Sequence, residues 1–180
     1  VGNVAIGGEA ACELTSGSSN VVFGTCAAAN LETGSNNFIV GSGAGFFTNT
    51  GDANIFVGAN AGRLNGTQDG NVFLGQDAGR YASAASNIGI GCSALRGNNG
   101  QSVTGKNNIA FGKMAGRCMT TGAYNNFFGG FAGCRNDTGL HNNFLGFSAG
   151  QENQNGDRNN FMGVRAGLNN VSGCYNNFFG

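Results

Sequence analysis

The chain has 180 residues, of which 35 are glycine and none is proline, and its 9 basic and 9 acidic residues cancel at neutral pH. The balance of charge gives no electrostatic reason to expect a nucleic-acid partner, and an apolar content of 40% argues against disorder. The lack of proline argues against collagen and polyproline designs, and no apolar run approaches the ~18 residues that span a bilayer.

A glycine recurs along the chain every 17 residues, apart from intervals of 16 and 21 residues on either side of Gly91. We term it the repeat glycine. An asparagine stands four residues before each repeat glycine, and an alanine stands three residues after each one that has a following turn. The longer interval predicts a loop insertion near residues 97–106. The repeat glycines are Gly7, Gly24, Gly41, Gly58, Gly75, Gly91, Gly112, Gly129, Gly146, Gly163 and Gly180.

Each repeat predicts one short strand, because its apolar residues lie between the turn formers asparagine and glycine. Ordering the 17 residues of one repeat costs about 17–34 kcal/mol of backbone entropy. Two or three buried apolar side chains return only about 1.5–3 kcal/mol each, so a repeat must stack on its neighbours. We therefore predict an all-β fold, a parallel β-solenoid or β-roll of about ten turns, as a single segment over residues 1–180.

The two positions before the repeat glycine are apolar in nearly every repeat, and successive strand residues point to opposite faces. One row of side chains must then fill the coil, while the other faces outward as an apolar patch that calls for a partner. We assign the outward row to the earlier position, which predicts lateral association, most simply as a homotrimer. A kinked strand that turns both rows inward is the alternative. The predicted assembly ladder is Phe56, Phe73, Phe127, Phe144, Phe161 and Phe178.

Residues 3–7, which read Asn-Val-Ala-Ile-Gly, resemble the repeat of the YadA-like heads of trimeric autotransporter adhesins. Later repeats, such as residues 142–150, are similar to 17-residue arrays found in large bacterial, viral and environmental surface or fibre proteins. The resemblance implies a left-handed parallel β-roll whose chains trimerise side by side and bind host matrix or cell surfaces.

Three N-glycosylation sequons begin at Asn65, Asn136 and Asn170, each seven residues after a repeat glycine. Their common phase predicts one polar edge of the rod. Glycans on that edge are expected only if the source is a eukaryote or its virus. The alternative is that the sequons merely reflect the frequency of asparagine, threonine and serine at this phase.

The six cysteines show no spacing typical of a metal site. Cys118 and Cys134 lie in adjacent turns and one position out of register, which puts their Cα atoms about 6 Å apart and predicts a disulfide. Cys12 and Cys26 are three positions out of register and fit a bond less well. Cys92 and Cys174 have no evident partner.

Four arginines stand five residues after successive repeat glycines, at Arg63, Arg80, Arg96 and Arg117. We interpret them as a strip that binds acidic glycans or the carboxylates of a neighbouring chain. Candidate acids that share a phase of their own are Asp52, Asp69 and Asp157. The alternative is a solvated edge with splayed side chains.

No residue pattern predicts catalysis. His141 is the only histidine and occupies a variable turn position, and the glycine-rich fragments lack the helix N-terminus that a phosphate loop needs. We predict that the protein is not an enzyme and that it has no catalytic residue, no metal and no cofactor.

We predict a structural component of an extracellular, cell-surface or virion-surface fibre. Its partners would be copies of itself, packed side by side. The chain begins and ends in a repeat without a capping segment, which predicts either an excerpt from a longer array or subunits that also stack end to end. One alternative is an adhesin head or tail-fibre shaft that binds glycans or matrix. A second alternative is an ice-binding solenoid, whose ice face would be the row Thr33, Thr50, Thr67, Thr121 and Thr138.

Overall fold

Each repeat contributes one short strand, and the strands of successive repeats pair in parallel. A computed structural model of the chain describes residues 1–98 and 100–180. In it, eleven strands form one sheet in chain order, and the described residues contain no helix. The predicted parallel β-solenoid of about ten turns is confirmed. The strands are β1 (Val4–Ile6), β2 (Val21–Phe23), β3 (Phe38–Val40), β4 (Ile55–Val57), β5 (Val72–Leu74), β6 (Ile88–Ile90), β7 (Ile109–Phe111), β8 (Asn126–Phe128), β9 (Asn143–Leu145), β10 (Asn160–Met162) and β11 (Asn177–Phe179).

The pairing register follows the repeat. Ile55 in β4 pairs with Val72 in β5, which is 17 residues later. Across the shorter interval Val72 pairs with Ile88, and across the longer one Ile88 pairs with Ile109. Equivalent positions of successive repeats therefore lie directly above one another, at a strand spacing of about 4.8 Å. We term such a stack of equivalent residues a column.

The chain leaves this regular path after Gly97 and rejoins it at Val103. The backbone N–H of Val103 donates to the Tyr81 carbonyl oxygen (2.8 Å), and its carbonyl oxygen accepts from the Ser83 N–H (2.9 Å). These bonds return Val103 to a buried column beside Ala82. Residue 99, which falls within the predicted insertion, lies outside the described residues.

The coil interior is filled by the middle residue of each strand, which packs against a residue six positions later in the same turn. Where the middle residue is phenylalanine, that later residue is glycine: a Cβ on Gly62 would lie 2.7 Å from the Phe56 ring. In the sixth turn the sizes are reversed. Gly89 replaces the phenylalanine, and Leu95, fully buried with a φ of 46°, takes the place of the glycine. These turns are therefore packed by large and small residues in complementary pairs, whereas in the seventh turn Leu95 and Phe127 from the adjacent turns pack against Gly116.

The repeat glycine forms a corner that touches the turn above. Gly129 has a φ of 136°, and a Cβ placed on it would lie 2.6 Å from the carbonyl carbon of Gly146. Its neighbour Gly130 has an ordinary φ, and a Cβ there would come no nearer than 3.4 Å to any side chain or backbone atom. Of these two adjacent glycines, Gly129 therefore has no room for a Cβ atom, whereas Gly130 does.

We expect Gly129→Ala to lower the free energy of unfolding by about 2–4 kcal/mol, because it adds backbone strain and pushes two turns apart. Gly130→Ala is the matched control and should change stability by less than about 1 kcal/mol. Urea unfolding followed by circular dichroism compares the two variants. Equal stability of both variants would contradict this account of the corner.

A column of buried asparagines, at the position four residues before the repeat glycine, bonds each turn to the next. The side chain of Asn125 donates from Nδ2 to the Gly139 carbonyl oxygen (2.8 Å). Its Oδ1 accepts from the backbone N–H of Asn142 (2.9 Å), and its own N–H donates to Oδ1 of Asn108 (3.0 Å). The side chain therefore satisfies backbone groups of the adjacent turns that would otherwise be buried without a partner.

Asn125→Ala should destabilise the protein by about 2–3 kcal/mol, because it leaves the buried N–H of Asn142 without an acceptor. Asn126→Ala is the neighbouring control. Asn126 is half-buried on the outside of the sheet, and its side chain donates only to Asn143 Oδ1 (2.7 Å), so we expect a loss below about 1 kcal/mol. Denaturant midpoints measure both, and a larger effect at Asn126 would refute the role given to the buried column.

Candidate functional site

The sheet has an outward apolar ladder, but it is not the predicted one. Phe56, Phe73, Phe127, Phe144 and Phe161 are fully buried inside the coil, where neighbouring rings stack, and only Phe178 in the final strand is exposed. The assignment of the two apolar rows was therefore reversed, and the kinked-strand alternative is wrong as well.

The row that faces outward is the last residue of each strand, directly before the repeat glycine. From Phe111 to Met162 its members are 38–42% exposed, and the Phe111 and Phe128 rings stack at 5.2 Å outside the coil. We term this row the outer ladder. It comprises Ile6, Phe23, Val40, Val57, Leu74, Ile90, Phe111, Phe128, Leu145, Met162 and Phe179.

A second outward row flanks the outer ladder and changes character along the rod. The first residue of each strand is apolar from Val4 to Ile109 and asparagine from Asn126 onward. These outer asparagines bond to one another, for example from Asn143 Nδ2 to Asn160 Oδ1 at 2.8 Å. The sheet face is thus apolar across two columns in its first seven strands and across one column in the last four.

The sequons do not form a polar edge. Asn65 and Asn136 are fully buried, and their Nδ2 atoms, which a glycan would have to occupy, donate to the carbonyl oxygens of Gln68 (2.7 Å) and Gly139 (3.0 Å). Asn170 is half-buried and bonds to Asn153 Oδ1 (2.7 Å). The predicted glycan edge is wrong for Asn65 and Asn136, because this column points into the coil.

The arginines of the predicted strip are engaged within the chain. Arg80 forms an ion pair with Asp77 (3.0 Å). The guanidinium groups of Arg80 and Arg96 both lie over the Tyr81 ring, at 5.4 and 5.7 Å from its centroid. The aromatic ring between these cations offsets part of the repulsion expected for stacked like charges.

At one end of the strip, Arg63 also makes contacts within the chain. Arg63 donates to Asn60 Oδ1 (3.1 Å) and lies 4.9 Å from the Phe46 ring centroid, and Arg117 is half-buried beside Cys118. The predicted binding of acidic glycans or of a neighbouring chain by this strip stays a prediction.

The predicted partner acids also have local roles. Asp69 Oδ1 accepts from the Asp52 N–H (2.8 Å), and Asp157 Oδ1 accepts from the Leu140 N–H (2.8 Å). Asp52 in turn accepts from the Ser35 N–H (2.6 Å). Each carboxylate therefore bonds to the backbone of the preceding turn.

Cys118 and Cys134 are not joined in a disulfide, and the predicted bond stays a prediction. The backbone N–H of Cys118 donates to the Cys134 carbonyl oxygen (2.9 Å). Cys12, Cys92 and Cys174 are exposed and Cys26 is half-buried. The Cys26 thiol donates to Glu9 (3.2 Å), and this bond raises the pKa of Cys26 above its ordinary value.

The threonines of the proposed ice face are all exposed. The row is short, however, because Ala84 interrupts it after Thr67 and an asparagine ends it after Thr138. His141 is exposed and stacks on Tyr124, with ring centroids 5.0 Å apart.

An open groove of about 510 Å³ lies near the C-terminal turns. Its walls include Gln151, Glu152, Arg165 and Asn169. Within the two described ranges, no cluster of three or more His, Cys, Asp or Glu side chains is suited to a metal ion. The described part of the chain also has no helix that could cross a membrane.

No family model, curated protein or solved structure matches this chain. The fold by itself defines the class: a tandem-repeat, parallel β-solenoid with one apolar outer face.

Proposed function

We propose that the chain is a structural segment of an extracellular or surface fibre, and that copies of it associate side by side through the outer ladder. The observation that carries this proposal is the row of partly exposed apolar side chains along the whole sheet. Soluble monomers rarely expose a continuous apolar patch of several hundred Å².

The size of the face supports an interface. Ten steps between eleven strands at about 4.8 Å give a strip about 50 Å long, and a width of about 10 Å gives about 500 Å² per chain. Two such faces together bury about 1,000 Å², which reaches the lower range of specific protein interfaces. The second apolar row widens the strip in the N-terminal half.

A second copy of the chain is the occupant that fits this face. Its side chains repeat at the same axial spacing, so outer ladders interdigitate over their full length, whereas a globular partner has no matching period. We favour three copies, which is also the number in the adhesin heads that the repeat resembles.

The change along the flanking row favours parallel chains. In parallel packing, the apolar residues from Val4 to Ile109 face one another, as do the outer asparagines from Asn126 to Asn177. Antiparallel packing would place apolar side chains against amides, and burying an amide without a partner costs about 1–3 kcal/mol. A cyclic trimer also requires parallel chains.

The double variant Phe128→Ser/Leu145→Ser should weaken association by about 100-fold or more, since each buried apolar side chain contributes about 1.5–3 kcal/mol. Tyr124→Ser/His141→Ser is the matched control, because it removes exposed rings from the same turns in a different column. Light scattering after size exclusion gives the mass of each. A stable monomer of the unaltered chain would overturn the proposal.

The orientation is tested by a single spin label at position 33, on an exposed threonine, in a background with the six cysteines changed to serine. Parallel chains place the labels at nearly the same height along the axis. Antiparallel chains separate them by about 30 Å along the axis. Pulsed electron resonance distances beyond that value would leave self-association intact but refute the parallel arrangement.

The polar groove beside Arg165 favours a second function, that of an adhesin or tail-fibre shaft that binds glycans. Its amides, carboxylate and guanidinium are groups that bond sugar hydroxyls. A glycan array probed with the unaltered chain and with Arg165→Ala tests this alternative. Binding that is lost with Arg165 would support it, and an array without signal would remove it.

A further inference from the structure

We propose that Cys118 and Cys134 form a thiol–disulfide exchange site, in which Cys118 reacts first with a small anionic disulfide such as oxidised glutathione and Cys134 then closes a bond between two turns of the coil. This site is independent of the proposed fibre function. It adds a covalent, redox-dependent link to a fold otherwise held by non-covalent contacts.

The two cysteines are placed for such a bond by the register of the coil. They lie on adjacent turns, and the hydrogen bond from the Cys118 N–H to the Cys134 carbonyl oxygen (2.9 Å) fixes their backbones side by side. The pKa of each thiol is shifted mainly by the other thiol, so the two side chains lie within interaction range. A disulfide spans Cα separations of about 4.4–6.8 Å, which neighbouring turns offset by one residue provide.

Cys118 is more accessible than Cys134, and this difference determines which of the two thiols reacts first. Cys118 is half-buried and lines an open cleft of about 230 Å³, together with Asn98, Arg135 and Gln154. Cys134 is only 8% exposed. A small disulfide in the cleft therefore reaches the sulfur of Cys118, while Cys134 reaches only its neighbour.

The electrostatics favour the same order. The hydrogen bond from Cys134 lowers the pKa of Cys118 to about 6, with further help from Arg117 and Arg135, whereas burial and Asp137 act against it. The pKa of Cys134 is raised, first by its bond to Cys118 and then by burial. The lowered pKa gives Cys118 more thiolate character than Cys134 at neutral pH, and the thiolate is the nucleophilic form. Arg135 lines the cleft and attracts the carboxylates of the incoming disulfide, although Asp137 also lines the cleft and Glu152 already pairs with Arg135 (2.7 Å).

The exchange takes place in two steps. The Cys118 thiolate attacks one sulfur of the small disulfide, forms a mixed disulfide and expels one thiolate. That thiolate takes the proton of Cys134, whose sulfur then displaces the second small thiolate from Cys118. The two cysteines lose two electrons in total, and the small disulfide is reduced to one thiol and one thiolate, which takes up a proton from solvent.

The test treats the reduced chain with oxidised glutathione, quenches with acid and maps the products by mass spectrometry. We expect a Cys118–Cys134 crosslinked peptide. Cys134→Ala should stop at a glutathione adduct on Cys118, because the resolving thiol is missing. Cys118→Ser should leave Cys134 unmodified. Alanine occupies the Cys134 position in an earlier repeat, at Ala29, and asparagine occupies the Cys118 position at Asn30, so both variants are compatible with the fold.

A second measurement tests whether Cys118 is more reactive than Cys134, and not only close to it. The rate of Cys118 alkylation by iodoacetamide should rise with pH through a midpoint near 6. This midpoint should move upward in Cys134→Ala, since the hydrogen bond that stabilises the thiolate is lost. At neutral pH, Cys118 should react at least about tenfold faster than Cys134. An adduct on Cys118 that persists in the unaltered chain, or faster reaction at Cys134, would overturn the proposal.

Discussion

The hydrogen bonds of the buried asparagine column are the interaction on which the rest of this coil depends. At the corner before each strand, the backbone cannot satisfy its own N–H and carbonyl groups by strand pairing, because the strands are only three residues long. The asparagine side chain supplies both a donor and an acceptor to the adjacent turn. Since each amide must lie above the next, the bonds fix the offset between turns at one repeat.

That offset imposes a rule of self-compatibility on every column. A residue type must tolerate its own kind at about 4.8 Å, which suits amides that bond to each other, rings that stack and glycines whose backbones touch. Charged side chains of the same sign tolerate this close stacking poorly. The arginines therefore rest on Tyr81 or Phe46, and aspartates accept backbone N–H groups of the preceding turn. The outer ladder obeys the same rule, which is why it is available to a second copy.

The period of the sequence was sufficient to predict the fold, because a stacked coil leaves no other register once asparagine and glycine recur together. It was not sufficient to say which side chains point inward. The two neighbouring apolar positions of a strand hold similar residue types. The interior position is the one that pairs with a residue of complementary size six positions later, as Phe56 does with Gly62 and Gly89 with Leu95.

The sequence wrongly predicted an exposed position for the sequons for a related reason. Their column also holds Leu31 and Met119, which are fully buried, so it lines the interior even where asparagine replaces an apolar residue. Polar residues enter this column only because their amides find backbone carbonyl oxygens inside the coil. Polarity alone therefore says little about exposure in a structure in which side-chain amides carry part of the backbone hydrogen bonding.

The complementary pairing of large and small residues inside each turn has an evolutionary consequence. Both partners of a pair belong to the same repeat, so unequal recombination that inserts or removes a whole turn leaves every pair intact and changes only the length of the rod. A crossover between the two partners would instead join a phenylalanine to a leucine, or a glycine to a glycine. The first product would be overpacked and the second would contain a cavity. The complete turn is therefore the unit that recombination can add or remove in this architecture.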